Sequence, residues 1–335
     1  MNYDSKHYSC FVFVCSVLQV QLNGTQKSHT HQNQHQSIRM ATSSPDSNGL
    51  GNNNDNLHVD DAQLEENLQL EKLVPKVQDA IETLIDCKDY TSAESVDAFE
   101  FLSTLCPTAT IRRRLADEVV KLEGGRLFPL VWKQLKDASD ASKGDEHQTF
   151  FLTILRMMKA FFANFTDASP QLCQQLGQYE AFKLLFEEFS TYYQVVEELE
   201  DEMKKDQFNT SLVILHNCIR QWNDNKALYR KADAVELLTK YVRSNHPLAN
   251  KTKCLLTLSY IVNEEENGNL ATQNCCVTHL LDLLKKAVAT PDHRIDDGDA
   301  EFSVAELLDG VYRIAANDAN KVCCMKQEQI GLFKT

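Results

Sequence analysis

Five times along this chain an apolar helix runs into a polar corner. The segments read "AFEFLSTLCPTA" (98–109), "MMKAFFANFTDAS" (157–169), "LVILHNCIRQWNDN" (212–225), "CLLTLSYIVNEEEN" (254–267) and "LLDGVYRIAANDAN" (307–320). In the last of them Leu307, Val311 and Ile314, with Leu308 and Ala315, mark one face at helical spacing, and Glu306, Asp309 and Arg313 lie between them. Asn317-Asp318-Ala319-Asn320 then stops the helix, because Asn and Asp side chains bond locally to the backbone and tolerate the left-handed conformation. The same residue types suit the N-cap of a following helix. Such a unit cannot bury its own apolar faces, so a chain made of several must stack them.

After each corner comes a short segment with an apolar anchor: Leu115, Leu172, Leu228, Leu270 and Val322. In the first four units a break then precedes a second apolar helix: "GRLFPLVWKQL", "QYEAFKLLFEEF", "DAVELLTKYV" and "CVTHLLDLLKKA". Thr104, Asn164, Asn217, Tyr260 and Arg313 hold corresponding positions, 60, 53, 43 and 53 residues apart. Repeats of two or three helices recur at about 40–47 residues. The excess falls on loop-like insertions: "KDASDASKGDEHQ", "VEELEDEMKKDQ" and "TPDHRIDDGDAE". From about residue 71 to the end the chain is expected to be all-α, with no sheet, since no stretch alternates in strand fashion.

The residues match one repeat family best. Gly125 and Pro129 ahead of "LVWKQL" resemble the start of the second helix of an armadillo repeat, and "FFANFTDASPQL" and "ILHNCI" resemble its "A-L-x-N-L-A" close, with Asn164 and Asn217 at the Asn position. The resemblance covers about Leu73 to Val322. It implies a right-handed α-solenoid of about five armadillo-like repeats, the last incomplete, because "CCMKQEQIGLFKT" stands where a closing helix would be expected. An unfinished repeat would leave Val311, Ile314 and Val322 uncovered on the C-terminal side and open to self-association. The stretch from Glu188 to "AELLDGVYRIAANDANK" is similar to the armadillo region of invertebrate proteins that carry a TIR domain further on, although no TIR-like alternation of strands and helices follows here.

Family members that bind extended peptides do so in a groove lined by one long helix per repeat, with Asn side chains on the peptide backbone and Trp one turn earlier. By resemblance, Thr104, Asn164, Asn217, Tyr260 and Arg313 would line the concave side. The Asn is kept only at 164 and 217, and the Trp positions hold Ala160 and Val213, so peptide binding of the nuclear-import type is not implied. Arg112, Arg113 and Arg114 form a basic run on an otherwise acidic chain and could grip carboxylates or phosphates.

A net charge of −14 argues against a nucleic-acid backbone as partner. No apolar run reaches the roughly 18–20 residues that span a bilayer, so no membrane partner is expected. Eleven cysteines, without CxxC or His at metal spacing, read as buried free thiols of a reducing compartment. His147, His216, His246, His279 and His293 stand alone, with no nucleophile motif or phosphate loop, so neither catalysis nor a metal or cofactor is expected. Residues 1–70 read as a disordered tail whose natural start is Met40, since "YSCFVFVCSVLQVQL" lacks a clean cleavage site. Three functions are compatible with these features. The first is a cytoplasmic protein-binding scaffold that uses its concave face. The alternatives are a regulatory module in TIR-linked innate-immune or NAD signalling, and a sensor that binds a nucleotide in the groove.

Overall fold

The computed structural model describes residues 61–105, 107–141, 145–193, 202–263, 266, 274–298, 300–316 and 320. The chain divides between Glu65 and Glu66, and the helical array belongs to the part that follows; residues 1–60, expected to be a tail, lie outside the described residues. Helix α1 runs from Asp61 to Asp86 and so begins ahead of the boundary expected at residue 71. Leu70, Val77, Ile81 and Leu84 give it a buried stripe at spacings of seven, four and three. Carboxylates such as Glu65 and Glu66 are favourable near its positive end, a signal that polar composition concealed.

Among the described residues thirteen α-helices follow one another with a single short hairpin. Five of them pack in sequence, each on the next: α2 (Ala93–Thr104), α5 (Asp145–Thr166), α8 (Glu202–Gln221), α11 (Leu248–Ile261) and α13 (Val304–Ile314). These are the helices that end in the five polar corners. A second set, α4 (Leu127–Ala141), α7 (Ala181–Tyr192) and α10 (Ala234–Arg243), also packs in order, each against the first-set helix that follows it in the chain. The short helices α3 (Ala109–Lys121), α6 (Pro170–Gln178) and α9 (Lys226–Lys231) connect the two sets, and α12 (Asn274–Ala289) packs on α11 and α13.

Aromatic residues fill the space between the sets. Phe128 of α4 meets Phe162 of α5 edge-on at 5.3 Å, and Phe189 of α7 stacks on Phe208 of α8 at 5.0 Å. Tyr229 of α9 lies against both Phe182 and Phe186 of α7, and its hydroxyl donates to the Leu215 carbonyl. Tyr229 is buried while its neighbour Leu228 is 39% exposed. The expected anchor of the third unit is therefore replaced by the residue after it, whereas Leu115 and Leu172 are buried as expected. Gly310 lets α13 approach α11 closely, since a Cβ there would overlap Leu256 Cδ2.

The corner before each second-set helix carries a recurrent feature. Glu123, Glu180 and Asp233, at φ of 56°, 60° and 56°, are left-handed and precede the turn Gly124–Arg126 with α4, then α7, then α10. A sharp bend is needed here, and glycine would make it at lower cost. Acidic residues occupy all three.

Two expectations are corrected. The insertion "TPDHRIDDGDAE" is not a loop, because β1 (Arg294–Asp297) and β2 (Ala300–Ser303) pair antiparallel with Ile295 opposite Phe302. Asp297 pairs with Ala300, and Gly298, at φ 60°, opens the two-residue turn between them, where a positive φ is what hairpin turns require. Strands of four residues are too short to show alternation. Phe302 is fully buried, with the Lys253 ammonium 4.2 Å above its ring. Secondly, Val311 and Ile314 are buried rather than uncovered, since α11 and α12 both pack on α13. Val322 and the residues after it lie outside the described residues.

The strained corners are open to a direct test. Glu180→Gly is expected to raise stability, and Glu180→Val to lower it, because a β-branched residue strongly resists positive φ. The two variants should differ by about 2 kcal/mol in urea unfolding.

Candidate functional site

Buried charges tie the first-set helices together. Lys159 of α5 is fully buried, its ammonium 2.6 Å from Glu188 of α7 and 4.9 Å above the Trp132 ring. It also donates to the Gln207 carbonyl, and Ser211 of α8 donates to the other oxygen of Glu188. Burial lowers the Lys159 pKa, and Glu188 opposes the shift. Further along, Glu306 of α13 accepts from Lys253 of α11 at 2.7 Å and lies 2.9 Å from His216 Nε2 of α8. The other ring nitrogen of His216 is 3.2 Å from the Thr257 hydroxyl. Burial works against the charged form of Glu306, but Lys253 and His216 outweigh it and hold its carboxyl well below the usual range. Burial likewise pushes His216 down to about 4, against the pull of Glu306. Glu306 also closes a capping box with Ser303, so one carboxylate both starts α13 and fastens it to two neighbours.

Towards the C-terminal ends of the same helices a second set of polar contacts reaches the surface. Asp167, at the corner after α5, lies 3.8 Å from Arg112 of α3 and accepts from Arg220 of α8 at 2.5 Å. The Gln221 side chain donates to the Asp167 carbonyl. Asp309 of α13 accepts from the Tyr260 hydroxyl of α11 at 2.5 Å and from Arg313 at 3.0 Å. The Arg313 guanidinium lies over the Tyr260 ring at 4.1 Å. Burial, then the bond to Asp309, raises the Tyr260 pKa, while Arg313 and Arg220 oppose the shift. Beside this ladder Arg230 grips Glu266 with two bonds of 2.7 Å and holds that carboxyl down at about 2.

The residues singled out from sequence take different places in this arrangement. Thr104 is exposed, and its hydroxyl donates to the Glu100 carbonyl of its own helix. Asn164 is half-buried. Asn217 is 6% exposed and donates to the Ala163 carbonyl and to Thr166, which fastens α8 to α5 instead of offering an amide to a peptide. Tyr260 is also buried. Arg313 is partly exposed on the ladder. Arg112, Arg113 and Arg114 do not act as one patch: Arg112 turns inward to Asp167 and the Pro107 carbonyl, and the other two are exposed. Successive helical residues point about 100° apart, so a run of three cannot share a face.

Asp167, Arg220 and Asp309 escaped the sequence reading. Asp309 stands four residues before Arg313, a spacing at which opposite charges pair on a helix. Asp167 and Arg220 have no local signal, because their pairing spans two units. Among the described residues no three His, Cys, Asp or Glu side chains converge to hold a metal, and no helix is long and apolar enough to cross a membrane. Cys173, Cys218, Cys254 and Cys276 are buried thiols outside any disulfide, and burial raises the thiols of Cys218 and Cys254. The chain matches no protein-family model, and no curated protein is significantly similar to it in sequence.

The His216 cluster sets a pH dependence. Its folded pKa of about 4 lies below the ordinary 6.5, so between those values the unfolded chain binds the extra proton. Stability is then fully present above pH 6.5 and is lost as pH falls towards 4, by at most about 3 kcal/mol. Protonation of Glu306 removes more as pH falls further. Urea unfolding from pH 7 to 4 should show this decline, and His216→Gln should flatten it across that window.

Proposed function

We propose that the chain is an armadillo-type α-solenoid of about five repeats that works as a protein-binding scaffold. In this reading α2, α5, α8, α11 and α13 are the inner helices of successive repeats, and a partner binds along the edge that carries Thr104, Asn164 and Arg313. The observation that carries it is that the five helices matched by their corners pack one on the next, with polar contacts near the helix ends in two of the four pairs: Asn217 to Ala163 and Arg220 to Asp167 between α8 and α5, and Tyr260 to Asp309 between α11 and α13. Rows of this kind build an extended surface whose shape is set by packing between neighbours.

The ladder suits recognition of protein. Arg112, Arg220 and Arg313 are about a fifth to a third exposed, and their carboxylate partners Asp167 and Asp309 somewhat more. These arginines are already partly desolvated and held in place. A partner carboxylate that replaces an internal one gains a charge-assisted bond at small further cost in solvation or side-chain entropy.

Photo-crosslinking tests the assignment. A photoreactive residue is introduced singly at Thr104, Asn164, Arg313 and, as a control, the exposed Lys136 of α4. The same partner is expected to cross-link from the first three positions in native extract and not from Lys136. Equal labelling from Lys136 would place the interaction elsewhere.

A further inference from the structure

A groove of about 570 Å³ lies between the third-unit and second-unit outer helices, lined by α6, α7, α9 and α10 and by no residue of the five first-set helices. Its apolar lining includes Phe182 and Phe186, each only 2% exposed, with Leu228 and Leu237. Leu228 is the point at which the third unit departs from the first two. The equivalent Leu115 and Leu172 are fully buried, whereas Leu228 is 39% exposed in the groove.

The groove is edged by charge. Glu180, Glu187, Asp233 and Glu236 contribute carboxylates, and Lys183 and Lys231 contribute ammonium groups, an excess of two negative charges over the lining. Glu236 pairs with Lys240 on its own helix at 2.6 Å. Among the described residues Glu180, Glu187 and Asp233 have no ion-pair partner. Glu180 and Asp233 are also two of the three left-handed corner residues, so carboxylates stand here where glycine would strain the backbone less.

We propose that this groove binds a short peptide segment that presents one or two large apolar side chains flanked by Lys or Arg. The apolar side chains cover Leu228 and the phenylalanine edges, and the basic flanks meet the unpaired carboxylates. The volume is within the range of sites that enclose a ligand of a few side chains. The excess of carboxylates on the rim excludes an acidic segment. This surface shares no residue with the ladder and does not depend on the function proposed for it.

The test is fluorescence anisotropy on the full chain with three labelled hexapeptides: Lys-Lys-Phe-Leu-Lys-Lys, Glu-Glu-Phe-Leu-Glu-Glu and Lys-Lys-Ser-Ser-Lys-Lys. The first is expected to bind at least tenfold more tightly than the other two. Leu228→Asp and Asp233→Lys should each weaken it fivefold or more, and Arg313→Glu should leave it unchanged. Both groove variants alter exposed side chains, and Glu236→Lys serves as a further variant should either of them melt early. Equal binding of all three peptides, or undiminished binding by Leu228→Asp, would overturn the proposal. So would concentration-dependent sedimentation of the chain that Leu228→Asp abolishes, since the groove would then serve a second copy.

Discussion

A carboxylate taken out of water has to meet a cation, and Glu306 meets Lys253 on the preceding helix of its row, with the uncharged His216 ring of the helix before that 2.9 Å from the same carboxylate. Removing either Lys253 or Glu306 leaves a buried charge uncompensated, which costs far more than the pair adds to net stability. Its contribution is to register. Apolar faces of neighbouring helices slide past one another at modest cost, whereas the Glu306 carboxylate accepts its partners at one axial offset only. Lys159 and Glu188 do the same between α5 and α7, with Ser211 of α8 bonded to the same carboxylate. The stacked helices are thereby fixed in level.

Once the level is fixed, the corners line up. Asp167 comes within reach of Arg112 and Arg220, and Asp309 within reach of Tyr260 and Arg313, only because the helix ends are held at matching heights. The partly exposed ladder is thus a consequence of the buried fasteners. The same logic explains the division of labour among the asparagines. Asn217 is drawn into the interface and bonds the neighbouring backbone, while Asn164, one unit earlier, stays half-buried.

The two surfaces differ in chemistry because they differ in what bounds them. The ladder joins helix ends, where bases and acids already neutralise each other. The groove lies between outer helices, where Leu228 is left exposed and the strained corners carry unpaired acids. On the two proposals made above, these surfaces take segments of opposite charge and share no residue.

The helical class was legible in the chain because period and corner chemistry are local: the 3.6-residue spacing of Leu307, Val311 and Ile314 and the polar stop after them need no partner to be recognised. The same holds for the recurrence of the five corners and for the burial of Leu115 and Leu172. The hairpin at 294–303 was locally encoded in the glycine at 298, but its strands are too short for alternation to register. Tertiary structure alone decided which polar groups face inward. His216 has the same local setting as any histidine on a helix, and only the arrival of Glu306, far along the chain, makes it part of a buried charge cluster. Tyr229 rather than Leu228 became the anchor because its ring packs against both Phe182 and Phe186 of the preceding unit and its hydroxyl finds the Leu215 carbonyl. Partners so distant in sequence leave no periodic trace, since what selects them is the geometry of helices already stacked.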